Sequence, residues 1–341
     1  MDTRILQSFK LALAQQKQNL LDWLRNSPPN EKEIRLGPAD SQAVDARLHT
    51  LDEALVKAEN KTLGLCEVCH DYVELDRLEM DFTACVCIDH YSPEQKRQLE
   101  SELELSHKVQ KALLPQQIPV VAGLELSAFS QPAQIVGGDY YDFFQFRDGT
   151  FGLVIADVMG KGLPASMLMA SLQASLRILV TDHDSPAEVI QKLNRVFCHN
   201  IHLIKFITIF LGRYDVNARR LEYCNAGQNP PLLVRQGQTE SIHWLKPTGA
   251  AIGLAESFEY DNASIDLQPD DVLVFYTDGL IEAMNTGEEE YGEERLVEVV
   301  RASADRGARD TLREIRLSLH DFTASTSLED DFTLIVAKGS A

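Results

Sequence analysis

VGGDYYDFFQF, residues 136–146, puts a pair of glycines directly in front of Asp139 and follows it with aromatic residues that favour a β-strand. A strand that serves only to pack has no use for such a pair, because glycine buries no side chain and costs backbone entropy on folding. Glycine is needed where the backbone must come close to another group. The stretch therefore predicts a sheet edge at which a carboxylate does more than pack.

The surrounding segment has the pattern of a β-rich domain. From Gly123 onward, short apolar runs are separated by turns, and two consecutive helical stretches lie between Pro164 and Asn200. Strands and helices come in blocks, unlike the regular alternation of a parallel βαβ sheet. We therefore predict an α+β layered domain with mainly antiparallel sheets. The predicted strands lie in LELSAFS, FGLVIADV, FITIFLGRYDV, LEYCNAG, DVLVFYTDG and DFTLIVAKG.

Acidic residues recur at the ends of these predicted strands, where rigid scaffolds hold functional groups. Any single one could merely cap a turn, but three of the sites combine the acid with glycine. If four such carboxylates converge, their repulsion requires cations, and oxygen ligands select Mg²⁺ or Mn²⁺ over Zn²⁺. The four sites are Asp139 in VGGDYYD, Asp157 in VIADVMGKG, Asp278 in VFYTDGL, and Asp330 or Asp331 in LEDDFTLIV.

Six motifs in this order and spacing resemble the SpoIIE/RsbU branch of the metal-dependent (PPM) protein serine/threonine phosphatases. They are VGGDYYDFF, ADVMGKGLPAS, NAGQNPPLL, AAIGL, YTDGLIEA and DDFTLIV, and the resemblance runs from about Gln110 to Lys338. It implies an α-β-β-α sandwich with a dinuclear magnesium or manganese centre between the sheets, which activates the water that attacks phosphorus. It also implies the metal ligands: the carboxylates of Asp139, Asp157, Asp278 and Asp330, and the backbone carbonyl of Val158.

Three features of the same segment concern other chemistries. Gln228 in NAGQNPP stands where relatives usually carry histidine, so an imidazole is missing from that loop. Cys198 and Cys224 lack the arginine-bearing phosphate loop of a cysteine phosphatase and are predicted to be core residues. MGKG lacks the glycine spacing of a nucleotide-binding loop.

The amino-terminal third predicts a separate module. Leu6, Phe9, Leu13, Leu20 and Leu24 recur at helical spacing from Asp2 to Pro28 and Pro29, and Val44, Leu48, Leu51 and Leu55 mark a second helix. Neither apolar stripe is stable alone in water, so an antiparallel helical hairpin is predicted. The predicted domains are 1–92 for this module, 93–115 for a linker helix and 116–341 for the phosphatase.

Four of the six cysteines lie between residues 66 and 87, which indicates metal binding rather than disulfides. The spacing allows two tetrahedral zinc sets that share Cys66 and Cys69. One adds Cys87 and His90 and forms two knuckles with two intervening residues each. The other adds Cys85 and Cys87 and needs a cramped pair, so the first is favoured; His70 is predicted to be a bystander.

Residues 40–92 resemble the DksA/TraR-type zinc finger, in which a helical hairpin leads into a zinc knuckle. His90 stands where a fourth cysteine usually lies. Members of that family act on RNA polymerase through acidic residues at the hairpin tip, and Asp40 and Asp45 do not reproduce their spacing. The module is therefore interpreted as a sensor or docking element.

The predicted linker helix, SPEQKRQLESELELSHKVQKALLP, has a Ser92 cap, Pro93 in its first turn and Pro115 at its end. Its thin apolar stripe is compatible with a solvated spacer and with a helix that pairs with its copy in a homodimer. Since no flexible glycine-serine linker intervenes, we expect the amino-terminal module to control the phosphatase through it. The stripe consists of Leu99, Leu103, Val109 and Leu113.

Composition excludes several partners. The 52 acidic and 32 basic residues give a net charge of −20, which disfavours nucleic acid and anionic membranes. The first 26 residues are interrupted by polar side chains and predict neither a signal peptide nor a membrane span, so a cytoplasmic location is expected.

The sequence thus supports two hypotheses. The first is a phosphatase for phosphoserine or phosphothreonine on a regulatory protein, by resemblance an anti-sigma-factor antagonist. The second is a non-catalytic DksA-like transcription regulator in which the phosphatase-like domain is a scaffold.

Overall fold

The computed structural model describes residues 3–26, 41–74, 77–78, 83–200, 206–236, 242–324 and 329–340. The chain divides into two compact units, Met1–Ser101 and Glu102–Ala341. Asp2, Pro28, Pro29 and Asp40, which the sequence placed at helix ends and at the hairpin tip, lie outside the described residues. No helix within the described ranges has both the length and the apolar composition to cross a membrane.

The first unit contains the predicted antiparallel hairpin. Its helices are α1, Thr3–Asn26, and α2, Ser41–Glu59. Lys10 pairs with Glu59 at 3.0 Å, and Lys17, one helical segment further along, pairs with Asp52. Going along α1 from Lys10 to Lys17, the partners run backwards along α2 from Glu59 to Asp52, so the two helices are antiparallel. The shared core is Phe9, Leu13, Leu51, Ala54, Ala58, Leu63, Cys66, Val73, Leu78 and Cys87.

The predicted linker helix is present as α3, Pro93–Leu113. Its start is a capping box: the amide of Gln95 donates to Ser92 Oγ at 3.2 Å, and the amide of Ser92 donates to Gln95 Oε1 at 2.9 Å. The buried residue of α3 is Gln110, whereas Val109 is 54% exposed. The predicted segment boundaries 1–92, 93–115 and 116–341 remain a prediction.

The second unit is built from two five-stranded sheets whose paired strands are all antiparallel. One sheet has the order β1-β10-β9-β6-β7 and the other β2-β3-β4-β5-β8. The strands are β1 Leu124–Gln131, β2 Tyr140–Gln145, β3 Phe151–Val158, β4 Ile207–Asp215, β5 Arg220–Ala226, β6 Leu232–Val234, β7 Ile242–Trp244, β8 Ala263–Asp266, β9 Val272–Tyr276 and β10 Phe332–Gly339.

Helices cover the outer face of each sheet. Their bounds are α4 Gly162–Asp182, α5 Pro186–Asn200, α6 Asp278–Ile281, α7 Gly292–Ser303 and α8 Ala308–Thr323. One hydrophobic cluster joins α4 and α5 to the β2–β3–β4 sheet, and a second joins α7 and α8 to the other sheet. A third lies between the sheets, where the rings of Phe210 and Phe275 meet edge to face at 5.2 Å. The predicted α-β-β-α sandwich is therefore confirmed.

The second aspartate of the opening stretch serves this architecture. Asp142 on β2 is 1% exposed, and its carboxylate accepts from Tyr140 Oη at 2.8 Å. Arg177 of α4 donates to both of its oxygens, at 2.8 and 3.0 Å. A two-pronged guanidinium–carboxylate pair of this kind is geometrically specific. It fixes α4 against β2, so Asp142 is a structural residue.

Candidate metal sites

Each sheet of the second unit contributes two of the predicted carboxylates. Asp139 immediately precedes β2, and Asp157 is the penultimate residue of β3. In the other sheet, Asp278 opens α6 directly beyond β9, and Asp330 lies two residues before β10. The sequence therefore identified strand ends correctly, although two of the acids lead into a strand rather than following one.

Electrostatic interactions show that these acids form one group. Burial and the neighbouring Asp157 carboxylate raise the pKa of Asp139 well above its usual value. Burial, then Asp278 and Asp330, raise the pKa of Asp157, and burial followed by Asp330 raises that of Asp278. Mutual repulsion among carboxylates in a buried place is relieved by bound cations.

The two glycines of the opening stretch are explained by close approach. A Cβ on Gly137 would overlap the carboxylate of Asp331, and a Cβ on Gly138 would lie 2.6 Å from the carbonyl oxygen of Val158. The backbone before Asp139 is thus pressed against the strand that carries Asp157. Gly279 repeats the pattern, since its Cβ would overlap the carbonyl oxygen of Asp331.

The structure separates the roles of Asp330 and Asp331. Asp331 is 5% exposed, and its two oxygens accept from the amides of Ala133 at 2.8 Å and Gly138 at 2.6 Å. Asp330 keeps a 41% exposed side chain, with Lys161 Nζ 3.1 Å from its carboxylate. Asp330 Oδ1 accepts from the amide of Asp331 at 2.9 Å, so both aspartates have hydrogen-bonded oxygens, and what distinguishes Asp330 is the greater exposure of its carboxylate.

Asp139 carries the observation that points most directly to a cation. Its Oδ2 accepts from Thr277 Oγ1 at 2.8 Å, and that hydroxyl oxygen accepts from the amide of Thr333 at 3.0 Å. Its Oδ1 is buried and has no hydrogen-bond partner. A buried carboxylate oxygen without a partner is costly unless a cation or a proton satisfies it. The donor set, oxygen only, fits Mg²⁺ or Mn²⁺.

Several supporting residues were not found from the sequence. Thr277 is fully buried and joins Asp139 to β10. Gln110 of α3, 7% exposed, donates through Nε2 to the carbonyl of Gly137 at 2.6 Å and accepts from its amide at 3.1 Å. The threonine directly before Asp278 offered a weak signal, and a lone glutamine on a polar helix offered none.

A second group lies in the first unit. Cys66, Cys69, Cys87 and His90 place one ligand atom each within 4.8 Å of all the others, and no other such group of three or more occurs in the part of the chain that is described. Among the described residues, the four carboxylates of the second unit do not form a group this compact.

The geometry of the cysteine group suits tetrahedral zinc. Cys69 Sγ and Cys87 Sγ are 3.8 Å apart, and His90 Nδ1 lies 2.9 Å from Cys87 Sγ and 3.9 Å from Cys66 Sγ. Zinc–sulfur bonds of ~2.3 Å at tetrahedral angles put two sulfurs about 3.8 Å apart. Hydrogen bonds from backbone amides, that of Cys69 foremost, lower the pKa of Cys66 to about 6, which favours the thiolate that binds metals.

The remaining predicted residues lie apart from both groups. Cys85 and the exposed His70 are not members of the cysteine–histidine group, as the favoured ligand set predicted, and Asp45 is exposed. Burial raises the pKa of Cys224 to about 11 and also raises that of Cys198. Both thiols are therefore protonated near neutral pH, which does not favour nucleophiles. The predicted core position holds for Cys224, which is buried, whereas Cys198 is only half-buried.

The chain was compared with known proteins. The family described as Stage II sporulation protein E (SpoIIE) matches residues 147–339. Phosphoserine phosphatase RsbU of Bacillus subtilis is 30% identical over 245 residues, which cover 71% of this chain and 71% of that protein. The solved RsbU and RsbW domains of a Mycobacterium tuberculosis protein are similar at 30% identity with a TM-score of 0.57, over 67% of this chain and 63% of that one.

The SiaA-PP2C domain of Pseudomonas aeruginosa, at 20% identity, has the same fold, with a TM-score of 0.64 over 73% of this chain and 99% of that domain. These similarities do not favour the alternative hypothesis of a non-catalytic transcription regulator. The predicted fold and enzyme class are confirmed, and the chain belongs to the SpoIIE family of metal-dependent protein serine/threonine phosphatases.

Proposed function

We propose that the chain hydrolyses phosphoserine or phosphothreonine on a regulatory protein at a two-ion centre of Mg²⁺ or Mn²⁺. The ligands would be the carboxylates of Asp139, Asp157, Asp278 and Asp330, together with the carbonyl oxygen of Val158. The single observation that carries this assignment is the buried, unpartnered Oδ1 of Asp139, whose pKa is raised by burial and by the Asp157 carboxylate. A bound cation would both coordinate the unpartnered oxygen and offset the repulsion between the carboxylates.

In this reaction the protein side chains would hold the two ions and orient the carboxylates that bind them. When bound, the two ions supply Lewis-acid activation of water and neutralise charge on the phosphoryl oxygens. Thr277 orients Asp139 by its 2.8 Å hydrogen bond, and Asp331 holds the glycine loop that brings Asp139 toward Val158. Lys161, beside Asp330, adds a positive charge at the exposed side of the group. Such preorganisation is the main contribution of a protein to phosphoryl transfer.

The substrate is inferred from relatives. RsbU is named a phosphoserine phosphatase. We infer that this chain likewise acts on a phosphorylated regulatory protein, an anti-sigma-factor antagonist by resemblance. A cytoplasmic location stays a prediction.

We also infer that the first unit binds one zinc ion through Cys66, Cys69, Cys87 and His90. The support is the S₃N donor set, its compact geometry and the lowered pKa of Cys66. We further propose that this unit is related to the DksA/TraR finger and controls the phosphatase through α3. We also propose that α3 pairs with its copy in a homodimer. The 62% exposed Leu105 and 54% exposed Val109 are apolar surface that such a dimer would cover.

A phosphatase assay tests the central proposal. Purified full-length protein should hydrolyse p-nitrophenyl phosphate with Mn²⁺ and lose activity on chelation, and Asp157→Asn should be nearly inactive. Asp266→Asn is the matched control, because Asp266 lies on β8 with a 72% exposed side chain paired to Arg220. Full activity of Asp157→Asn would refute the assignment of this carboxylate.

A further inference from the structure

Gln228 is a buried amide with every polar group of its side chain in use. It lies in the loop between β5 and β6 and is 1% exposed. Its Nε2 donates to the carbonyl of Tyr276 at 3.0 Å, and its Oε1 accepts from Thr208 Oγ1 at 2.8 Å. These two partners belong to different sheets, since Thr208 is on β4 and Tyr276 ends β9.

Both partners are adjacent to candidate metal ligands. Thr208 lies directly opposite Asp157 in the register of β3 and β4. Tyr276 precedes Thr277, which holds Asp139, and is two residues before Asp278. One side chain therefore joins the strand next to Asp157 to the strand that leads to Asp278.

Hydrogen bonds in and around the loop fix the position of Gln228. The backbone amide of Gln228 donates to Asn225 Oδ1 at 2.9 Å, and Asn225 Nδ2 donates to the carbonyl of Leu245 at 3.1 Å. Gly227 before it has a φ of +74°, a backbone conformation that residues with a side chain rarely adopt, and a Cβ there would lie 3.0 Å from the amide nitrogen of Ala251. A buried amide costs free energy unless both of its ends are paired. An apolar residue could fill this space but could not make the two hydrogen bonds that join the sheets at this point.

We propose that Gln228 is a positioning residue for the metal centre, which fixes the separation between the Asp157 half and the Asp278 half of the ligand set. This inference rests on the proposed two-ion site and adds a residue that contacts neither ion. It predicts that removal of the amide weakens ion binding without removing a ligand, because the two halves lose their common spacer.

Gln228→Met tests the proposal in the full chain, saturated with zinc, by titration calorimetry with Mn²⁺ and by kinetics with p-nitrophenyl phosphate. Methionine keeps the volume and loses both hydrogen bonds. We expect Mn²⁺ affinity to fall by about 10- to 100-fold, the range for residues that orient metal ligands. At saturating Mn²⁺ the KM should stay close to that of the wild type. Thr208→Val, which removes one hydrogen bond, should give a smaller loss in the same direction.

Asn194→Leu is the matched control. Asn194 is also a fully buried amide that bridges two segments, donating to the carbonyl of Ala255 and accepting from the amide of Gly253, both at 2.9 Å. It should lower the melting temperature and leave Mn²⁺ affinity unchanged. Equal Mn²⁺ affinity in wild type, Gln228→Met and Thr208→Val, or an equal loss in Asn194→Leu, would overturn the role of Gln228 while the phosphatase assignment stands. Failure of the folded wild type to bind Mn²⁺ would overturn both.

Discussion

Gln110 offers a direct test of how α3 influences the metal centre. It is the buried residue of a mostly exposed helix, and its amide makes two hydrogen bonds to the backbone of Gly137, two residues before Asp139. Replacement by alanine removes both bonds and leaves a buried carbonyl and amide without partners. The loop that presents Asp139 then loses its attachment to the helix.

The size of the effect follows from the number of contacts. Each neutral hydrogen bond contributes about 0.5–1.5 kcal/mol net, so the pair contributes about 1–3 kcal/mol. If that free energy stabilises the arrangement that binds the ion beside Asp139, its loss lowers affinity by roughly 5- to 150-fold, since 1.4 kcal/mol corresponds to about tenfold. The melting temperature should fall as well, because the variant leaves a buried carbonyl and amide of Gly137 without partners.

The assay is Mn²⁺ titration of Gln110→Ala followed by calorimetry, with activity on p-nitrophenyl phosphate measured across Mn²⁺ concentrations. The activity deficit should shrink as Mn²⁺ is raised. Gln116→Ala is the control: Gln116 is exposed and donates to the carbonyls of Lys111 and Leu114 at the end of α3. A Gln110→Ala protein with wild-type Mn²⁺ affinity would show that α3 does not position the loop.

Further variants test the two adjacent aspartates, the zinc ligands and the helix α3. Asp330→Asn should weaken Mn²⁺ binding at least tenfold with an unchanged melting temperature. Asp331→Asn should lower the melting temperature by about 2–10 °C, because an NH₂ group replaces an oxygen that accepts from a backbone amide; the reverse pattern would exchange their roles. Elemental analysis should find one zinc in the wild type and in Cys85→Ser and none in Cys87→Ser; equal zinc in all three would refute the ligand set. One or two residues inserted after Lys96 turn the helix by about 100° each and should change activity, and unchanged activity would mark α3 as a passive spacer.

Local sequence patterns were sufficient to predict most of the fold. Alternation and apolar runs located β1 to β5, β9 and β10, and helical spacing located α1 and α2, because these periods follow from backbone geometry alone. They missed β6, β7 and β8, which are three or four residues long and too short to show a period. The ends of α3 followed from Ser92 and Pro115 for the same reason. The order of the strands did not follow from such patterns, because pairings such as β1 with β10 join segments about 200 residues apart and depend on packing.

The candidate sites were predictable where the chemistry lies in residue types. Carboxylates beside glycines and thiols at knuckle spacing are residue types that bind metal ions, so they can be proposed as ligands before the fold is known. Supporting residues differ, because Thr277, Gln228 and Gln110 act through contacts that only the folded chain creates. The sequence around a glutamine is the same whether its side chain faces solvent or forms hydrogen bonds with backbone groups elsewhere in the fold. The sequence therefore indicates ligands more readily than the residues that orient them.

The pair Asp330 and Asp331 shows why adjacent acids could not be ranked from the sequence. Both stand at the start of a predicted strand, and both could reach the site. What separates them is the glycine pair about two hundred positions earlier: only without a Cβ at Gly137 can the Asp331 carboxylate approach and accept from the amide of Gly138. The glycines of the opening stretch thus allow the Asp331 carboxylate to be buried against the loop, whereas the carboxylate of Asp330 stays exposed. The first glycine of the pair before Asp139 is therefore required by Asp331, which lies near the other end of the domain sequence.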